Sequence, residues 1–364
     1  MIIDILDRIF QKTPLIHALY MKRAAKLKRS YCLFLDKLGL LKPYTFVQWL
    51  ATYKCNFRCP YCEASAGSPA ENELTTEEAR NFIDDLARMK VRRLAISGGE
   101  PLVRGDIADL MTYANGMDIS LGLVTNGYHV EEMWHELKSL RYFFYFTSID
   151  GLEEYNDRVR GKQGAFKHAL RGLELFESIR VKTRMINTVV TPQNIAMLDE
   201  MLKIFSESAA TRWVLTPTAS VGRAAHDNQY SLDAKQLAYL IDFIAGNQDK
   251  MDVDLGESHT YLKTLYGKTF GKPFFCGAGL TRCAVMPDGE VLGCQQAYDS
   301  SLSEGNIRDM PFSKIWKERF TSFRQSIFPE YCSGCEFLGA CQGGCWAEMQ
   351  VQKGCLKSLY EKSE

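Results

Sequence analysis

The stretch YKCNFRCPYCEASAG, from Tyr53 to Gly67, places three cysteines at positions 55, 59 and 62. Three residues and then two separate them, so the three thiols stand on one short loop. The apolar run FVQWLATY leads directly into this loop and predicts a β-strand, so the thiols are expected where the first strand ends. Structural zinc and four-iron clusters normally take four protein ligands, so three cysteines leave one coordination position open. An open position is typical of a metal that reacts.

Residues 46–245 alternate between predicted strands and predicted helices. Thr75 and Glu78 form a predicted capping box at the start of the first helix. Six βα units at this spacing predict an α/β fold with a parallel sheet, either open and doubly wound or closed into a partial (β/α)6 TIM-like barrel. Strands are predicted at 46–53, 91–97, 119–125, 142–149, 182–190 and 212–216, and helices at 74–90, 105–115, 129–139, 166–178, 194–206 and 232–245.

Polar motifs follow successive strands at the positions where each strand ends. SGGEP follows the second strand, TNG the third and SIDG the fourth. Because the carboxyl ends of parallel strands meet at one edge of the sheet, these motifs and the three cysteines are expected to share a single site.

Composition excludes several classes of protein. The chain has 364 residues, is 46% hydrophobic and carries no net charge, which gives no indication of a nucleic-acid partner. No stretch reaches the roughly 18 apolar residues that a membrane span needs, and the N-terminus lacks the features of a signal peptide. The sequence predicts a cytoplasmic protein. Twelve cysteines in such a chain are expected to be reduced and to bind metal rather than to form disulfides.

Residues 1–45 are predicted to be an N-terminal helical extension. Ile5, Leu6, Ile9 and Phe10 share one helical face, and the basic run MKRAAKLKR follows. One interpretation is a peripheral membrane or partner contact, and the other is an extension that packs on the barrel with a solvated basic face. We assign residues 46–250 to the barrel and residues 251–364 to a separate cysteine-rich extension.

Eight of the twelve cysteines lie between 276 and 355. RCAVMPDGEVLGC predicts a hairpin across Pro287 and Gly289, and an amphipathic helix is predicted near 312–324. The segment after residue 331 has few apolar residues, so we expect metal to hold it together. Eight thiols can close two four-ligand sites, which are either two zinc sites or two iron–sulfur clusters.

The three-cysteine loop, the GGEP motif and the βα order together resemble the radical S-adenosylmethionine enzymes, over about residues 46–245. The resemblance implies a [4Fe–4S] cluster held by Cys55, Cys59 and Cys62, with S-adenosylmethionine on the open iron. Reductive cleavage of that cofactor would give a 5′-deoxyadenosyl radical, which abstracts a substrate hydrogen. A flavodoxin or ferredoxin is the implied reductant.

The same resemblance implies the residues that contact S-adenosylmethionine. Glu100 would accept from its ammonium group, with the two preceding glycines allowing close approach of the backbone. Arg160 would pair with its carboxylate, and Tyr61 would stack near the adenine. Asn187, Gly222 and Arg223 also match family positions, with less definite roles. The full set of implied cofactor contacts is Tyr61, Ser97, Gly98, Gly99, Glu100, Pro101, Asn126, Ser148, Asp150 and Arg160.

The C-terminal cysteines resemble the SPASM extension that follows many radical S-adenosylmethionine barrels. Two auxiliary clusters are implied, bringing the number of [4Fe–4S] clusters to three, and full thiolate ligation favours an electron-transfer role. Cys32 is expected to be a buried small hydrophobic residue. The implied ligands are Cys276, Cys283, Cys294 and Cys345 for one cluster, and Cys332, Cys335, Cys341 and Cys355 for the other.

The extension is associated with peptide or protein maturation and with oxidation of small molecules in antibiotic or cofactor biosynthesis. We favour the first class. Gln295 occupies the position at which sulfatase-maturating relatives carry a basic aspartate, so formylglycine formation is disfavoured. The residues before the first strand are too few for a winged-helix leader-recognition domain, so a peptide substrate would need a separate partner or the barrel itself. A non-catalytic iron–sulfur or zinc module is the alternative outside the enzymes.

Overall fold

A computed structural model describes residues 23–218, 221–225, 227–256, 275–296, 300–325, 328, 330–335 and 338–346. Its strands join in one sheet, in which the predicted six parallel strands are extended at both edges. In chain order the strands are β1 (Phe46–Leu50), β2 (Arg93–Ser97), β3 (Ser120–Val124), β4 (Tyr142–Ser148), β5 (Arg184–Val190), β6 (Arg212–Pro217), β7 (Val253–Leu255), β8 (Arg282–Val285), β9 (Glu290–Leu292) and β10 (Ser303–Asn306).

The strand order in the sheet is β10-β9-β8-β1-β2-β3-β4-β5-β6-β7. Strands β1 to β7 each run parallel to their neighbours, which confirms the predicted α/β fold. Strand β8 pairs in parallel with β1, and the predicted hairpin of β8 and β9 is confirmed by their antiparallel pairing. The cysteine-rich extension therefore continues the barrel sheet on the side of β1.

Helices cover the outer face of this sheet. In the described residues the α-helices are α1 (Ala24–Lys37), α2 (Thr76–Arg88), α3 (Ile107–Gly116), α4 (Trp134–Leu137), α5 (Glu153–Arg160), α6 (Ala165–Ser178), α7 (Leu198–Ser206), α8 (Ala234–Gly246), α9 (Phe312–Glu318), α10 (Thr321–Arg324) and α11 (Leu338–Cys341). The capping box predicted for α2 is confirmed, because Thr75 and Glu78 each accept a hydrogen bond from the backbone N–H of the other.

Strands β4, β5 and β6 alternate between buried and half-buried positions. In β4 and β5 the side chains of Tyr145 and Ile186 are fully buried, while their neighbours Phe146 and Met185 are half-buried. Tyr145 stacks on Phe176 of α6 at 4.1 Å between ring centroids, so the fully buried set faces the helices. The half-buried set faces the other way, and because strand side chains alternate, it lines the inner face of the partial barrel.

The structure differs from the predicted elements at several points. Residues 129–133 form successive turns with mixed i→i+3 and i→i+4 bonds, and only α4 of the predicted helix 129–139 is α-helical. The helix predicted near 312–324 breaks at Phe320, whose φ is +64° and whose N–H donates to Glu304. Helix α5 and strands β7 and β10 were not predicted from the sequence. All three are short, so their periodicity is weak.

Helix α1 packs against the cysteine-rich extension. Asp36 pairs with Arg324 at 3.0 Å, and Trp316 donates its indole N–H to the carbonyl of Leu41 at 2.9 Å. These contacts match the interpretation of the N-terminal region as a packed extension. The apolar face predicted at Ile5 to Phe10 lies outside the described residues.

Candidate active site

The loop that carries Cys55, Cys59 and Cys62 begins directly after β1 and is closed at its base by the backbone. The N–H of Cys55 donates to the carbonyl of Gly67 at 2.9 Å, and the N–H of Gly67 donates to Tyr53 at 2.9 Å. Within the loop, Cys62 donates to the carbonyl of Cys59 at 3.3 Å. The three thiols are thus held at the C-terminal edge of the sheet, as predicted.

Arg223, in the segment that follows β6, binds this loop through three hydrogen bonds. Its Nε donates to the carbonyl of Cys59 at 2.7 Å, its Nη1 donates to Ala66 at 2.6 Å, and its backbone N–H donates to Cys62 at 3.1 Å. The preceding Gly222 has φ +59°, and a Cβ there would lie 2.3 Å from the carbonyl oxygen of Cys62. The segment after β6 therefore needs a glycine to approach the loop and an arginine to bind its carbonyls.

The environment of the thiols favours metal ligation over a free thiolate. Burial raises the pKa of Cys55 to about 12, with the nearby Glu100 adding to the shift. Burial also raises the pKa of Cys59, although the guanidinium groups of Arg160 and Arg223 oppose this. Thiols with such pKa values stay protonated at neutral pH, and a metal releases their protons on binding.

The three thiols do not need to converge on one point to hold a cluster. Within the described ranges, no three His, Cys, Asp or Glu side chains are grouped as ligands of a single metal ion. A four-iron cluster binds each thiolate at a different iron, so its ligands need not converge on one point. A three-thiol loop with basic residues beside it therefore fits an anionic iron–sulfur cluster.

The SGGEP motif lies against the cysteine loop. Gly99 donates its N–H to the carbonyl of Thr52 at 2.7 Å. A Cβ on Gly98, whose φ is +145°, would lie 2.4 Å from the carbonyl oxygen of Thr52, and one on Gly99 would lie 2.5 Å from that of Lys54. These two glycines therefore let the SGGEP segment pack directly on the backbone of residues 52–54. Ser97, also buried, accepts from Gln48.

Glu100 is fully buried and already accepts three hydrogen bonds. One carboxylate oxygen accepts from the N–H of Leu102 at 3.0 Å and from the hydroxyl of Thr125 at 2.7 Å, and the other accepts from the N–H of Asn126 at 2.7 Å. Burial raises its pKa, and these bonds oppose the increase. One lone pair remains for a further donor. Pro101 begins the short buried turn that follows.

Asn126 connects the third strand to the cysteine loop. Its side-chain amide donates to the side-chain oxygen of Asn56 at 2.7 Å, and Asn56 directly follows Cys55. The loops after β1, β2 and β3 are thus joined by hydrogen bonds into one edge of the site.

Asp150 organises the opposite edge of the site. Its carboxylate pairs with Arg160 at 2.6 Å and accepts from the hydroxyl of Tyr61 at 2.8 Å and from the N–H of Val189 at 2.8 Å. Tyr61 is only 4% exposed, and its ring meets that of Tyr230 edge-on at 5.6 Å between centroids. The predicted contacts Tyr61, Asp150 and Arg160 are therefore brought together and bind one another.

Arg160 is the last residue of α5, a helix that was not predicted from the sequence. Its side chain is 8% exposed, which excludes the alternative of a solvated arginine at a helix start. Its Nε is buried and finds no hydrogen-bond partner in the part of the chain that the structure describes. A buried N–H without a partner is unfavourable, so this atom is an available donor for a ligand with an anionic group.

The inner face of the sheet supplies polar groups beneath this edge. Ser148 stands opposite Asn187 in the register of β4 and β5, and the hydroxyl of Thr216 donates to the side-chain oxygen of Asn187 at 2.8 Å. All three residues are half-buried; Ser148 ends β4, Thr216 is the last but one residue of β6, and Asn187 lies in the middle of β5. They line the space in which a substrate would meet the cysteine loop.

Glu63 was missed in the sequence analysis, although it directly follows the third cysteine of the loop. Its side chain is hydrogen-bonded to Gln296, two residues beyond Cys294. Burial raises the pKa of Glu63 to about 7. The contact links the cysteine loop to the extension, and the position of the glutamate beside Cys62 was the available signal.

Neighbours of two cysteines in the first predicted auxiliary set pack on the ring of Phe323. A Cβ on Gly293, which precedes Cys294, would lie 1.9 Å from this ring. Trp346, which follows Cys345, packs on the same ring at 4.2 Å between centroids. The fold therefore brings the region of Cys345 to the hairpin that carries Cys283 and Cys294, as an interleaved ligand set requires.

The second predicted set is only partly within the described residues. The N–H of Cys335 donates to the carbonyl of Cys332 at 3.2 Å, and Cys341 is the last residue of α11. Helix α11 packs against α1. Cys355 lies outside the described residues.

Cys32, predicted to be a small core residue, is fully buried, and this prediction is confirmed.

A three-thiol loop at the edge of a parallel partial barrel, followed by a cysteine-rich extension, defines an iron–sulfur enzyme. Residues 49–205 match the radical SAM superfamily, and residues 276–336 match an iron–sulfur cluster-binding domain known as SPASM. The chain belongs to the radical S-adenosylmethionine superfamily and carries a SPASM domain. Among the described residues, no helix has the length and apolarity needed to cross a bilayer.

Similar proteins include more than one kind of enzyme. The mycofactocin maturase MftC of Mycolicibacterium smegmatis is 34% identical over 308 residues, which cover 82% of this chain and 77% of the relative. The AdoMet-dependent heme synthase of Oleidesulfovibrio alaskensis is 28% identical over 331 residues, covering 85% of this chain and 84% of the relative. Among solved structures, SuiB of Streptococcus suis bound to precursor peptide SuiA gives a TM-score of 0.70 at 18% identity, covering 87% of this chain and 75% of SuiB, which shows a shared fold.

Proposed function

We propose that this protein is a radical S-adenosylmethionine maturase that abstracts a hydrogen atom from a peptide or protein substrate. In this proposal Cys55, Cys59 and Cys62 hold the cluster that binds S-adenosylmethionine. When bound, the cluster and cofactor supply a 5′-deoxyadenosyl radical by one-electron reduction of the sulfonium. The residues of the chain bind and orient the cofactor and exclude water from the reacting centre.

The observation that carries this proposal is the unused Nε–H of Arg160. This buried donor lies in the same network as Tyr61 and Asp150, next to the cysteine loop. The cofactor carries a carboxylate, which is the partner that a buried guanidinium N–H lacks. On the other edge, the remaining lone pair of Glu100 is available to its ammonium group. Ser97, Ser148 and Asn126 stand close to these two groups in the fold and are proposed to contact the rest of the cofactor.

The extension is proposed to hold two further [4Fe–4S] clusters that transfer electrons. The first would use Cys276, Cys283, Cys294 and Cys345, and the second Cys332, Cys335, Cys341 and Cys355. A flavodoxin or ferredoxin is the proposed reductant. Because all twelve cysteines would need to stay reduced or cluster-bound, we infer a cytoplasmic location.

The choice of a peptide substrate is supported by the maturase relative. That relative has the higher identity of the two enzyme classes among the similar proteins described above. The inner face of the sheet is lined by half-buried groups such as Ser148 and Asn187, which leaves room for a substrate chain.

A second candidate is oxidation or decarboxylation of a small molecule. It is favoured by the heme synthases, which match this chain over 85% of its length. To decide between the two, deuterated peptides and deuterated porphyrins would be offered in turn. Transfer of deuterium into 5′-deoxyadenosine names the substrate and the carbon that is attacked.

The radical chemistry is tested in the anaerobically reconstituted protein with dithionite and S-adenosylmethionine. We expect 5′-deoxyadenosine from the wild type, none from Cys59→Ala, and wild-type amounts from Cys32→Ala, a cysteine outside the loop. We expect about twelve irons per chain, four for each cluster. A content near four irons would reject the auxiliary clusters, and product formation by Cys59→Ala would reject the assignment of the loop.

A further inference from the structure

Arg29 of α1 reaches into the cysteine-rich extension, although it lies far from that segment in sequence. Its Nη2 donates to the carbonyl of Phe323 at 2.6 Å and to the carbonyl of Gln325 at 2.9 Å. Phe323 is the residue whose ring lies between Gly293 and Trp346, the neighbours of Cys294 and Cys345. The guanidinium is therefore anchored to the residue whose ring contacts the chain neighbours of Cys294 and Cys345.

The hydrogen bonds of this guanidinium are incomplete. The Nε of Arg29 is shielded from solvent and has no hydrogen-bond partner among the described residues. Burial lowers the pKa of Arg29, and the groups that oppose this shift are the thiols of Cys276 and Cys32. No carboxylate is among them. Burial raises the pKa of Cys32, so that thiol stays neutral and offers no counter-charge.

Arg324 provides a comparison within the same site. It lies near Cys283, but each of its three nitrogens has a partner. Nη1 pairs with the carboxylate of Asp36 at 3.0 Å. Nη2 donates to the carbonyl of Trp316 at 2.6 Å, and Nε donates to that of Gly279 at 3.4 Å. One arginine of the site is thus neutralised by a carboxylate, whereas no carboxylate in the described part of the chain pairs with Arg29. Partial desolvation of a guanidinium with an unused N–H costs free energy, unless a nearby anion balances the charge and accepts that hydrogen bond.

We propose that Arg29 supplies the counter-charge and a hydrogen-bond donor to the first auxiliary iron–sulfur cluster, through the Nε–H that no described residue uses. This inference rests on the proposed function. A thiolate-ligated cluster is anionic and gains negative charge on reduction, so a nearby cation and N–H donor favour its reduced form. The N-terminal helix α1 is then part of the redox site rather than only a packed extension.

The test is the reduction potential of each cluster, followed by electron paramagnetic resonance during an anaerobic redox titration. Arg29→Gln removes the charge, and Arg29→Lys keeps the charge but removes the Nε donor. In Arg29→Gln we expect the equilibrium of one auxiliary cluster to shift about tenfold toward the oxidised form, a fall of about 59 mV for a one-electron couple. In Arg29→Lys we expect a smaller fall of the same sign.

The matched control is Lys26→Gln, which removes one exposed positive charge from the same helix. We expect all midpoint potentials to be unchanged in this variant, and the potential of the cluster at Cys55, Cys59 and Cys62 to be unchanged in every variant. A loss of about four irons in Arg29→Gln that Arg29→Lys restores would also support the proposal. If Arg29→Gln does not fold, Arg29→Lys is the test: a lowered potential of one auxiliary cluster supports the proposal, and a wild-type potential overturns it.

Wild-type potentials in both folded Arg29 variants, with the full iron content, would overturn the inference while leaving the proposed function intact. An equal shift in Lys26→Gln would overturn it as well, because the effect would then be a general one of surface charge. A wild type with only about four irons would instead reject the auxiliary clusters themselves.

Discussion

Arg160 and Asp150 form a buried ion pair, in which Nη2 of the arginine lies 2.6 Å from a carboxylate oxygen. Both groups were predicted as separate contacts to a cofactor, and the fold instead pairs them. The pair leaves the Nε of Arg160 as the unused donor. Ligand binding at this edge would therefore add to an existing network rather than create one, which keeps the arginine in position before the ligand arrives.

We expect Asp150→Asn to destabilise the protein by about 3 kcal/mol, because it leaves the buried guanidinium of Arg160 without its counter-charge. The control is Arg158→Gln on the same helix, which breaks the exposed pair of Arg158 and Glu154 and should cost at most about 0.5 kcal/mol. Urea unfolding of the anaerobically purified variants measures both values. Equal stabilities of the two variants would contradict the role of the buried pair.

Alanine at Gly98 or Gly99 should prevent the GGE segment from packing on the cysteine loop. The added Cβ would meet backbone oxygens at 2.4 or 2.5 Å, and backbone cannot move aside as a flexible side chain can. We expect each variant to lose most of the iron at Cys55, Cys59 and Cys62, measured as a loss of about four irons per chain. Gly105→Ala is the control, because nothing lies within 4 Å of its added Cβ.

Arg223→Ala should loosen the cysteine loop, because it removes hydrogen bonds to the carbonyls of Cys59 and Ala66. Two charge-assisted bonds contribute about 3 kcal/mol together, so we expect faster loss of the cluster from this loop. The auxiliary clusters should be retained. Iron release to a chelator, followed over time, measures the effect. Arg223→Lys should restore little of the lost stability, because one ammonium cannot reach both carbonyls as the planar guanidinium does.

Glu78→Gln should weaken the contact between α2 and the cysteine-rich extension. Arg308 binds both carboxylate oxygens of Glu78, at 2.6 and 2.9 Å, and this lowers the pKa of Glu78 to about 2. Because the folded pKa lies below the ordinary 4.5, the stabilisation is complete above pH 4.5 and is lost as the pH falls toward 2. The pair is one-third exposed, so we expect a loss of only about 1 kcal/mol at pH 7.

The measurement for Glu78→Gln is urea unfolding at pH 7 and at pH 4, with iron content checked in each sample. The difference between wild type and variant should shrink at the lower pH. A difference that grows as the pH falls would show that the carboxylate is not the stabilising form.

Local patterns in the sequence predicted the parts of the site that depend on neighbouring residues. The position of Cys55 after the first strand, the capping box of Thr75 and Glu78, and the hairpin around Gly289 each depend on residues a few positions apart. Helix α5 was missed because its eight residues are mostly charged and have no apolar stripe. As a result the position of Arg160 at a helix end could not be predicted.

The sequence by itself determined the ligand chemistry of this protein, because cysteine spacing and the order of strands and helices are properties of the linear chain. The tertiary structure alone decided which polar groups are already bound and which remain unused. Arg223 binds the carbonyl of Cys59 across 164 residues, and Arg29 binds that of Phe323 across 294. The physical reason is that a hydrogen bond depends on atoms within about 3 Å of each other, and only folding brings such distant residues together.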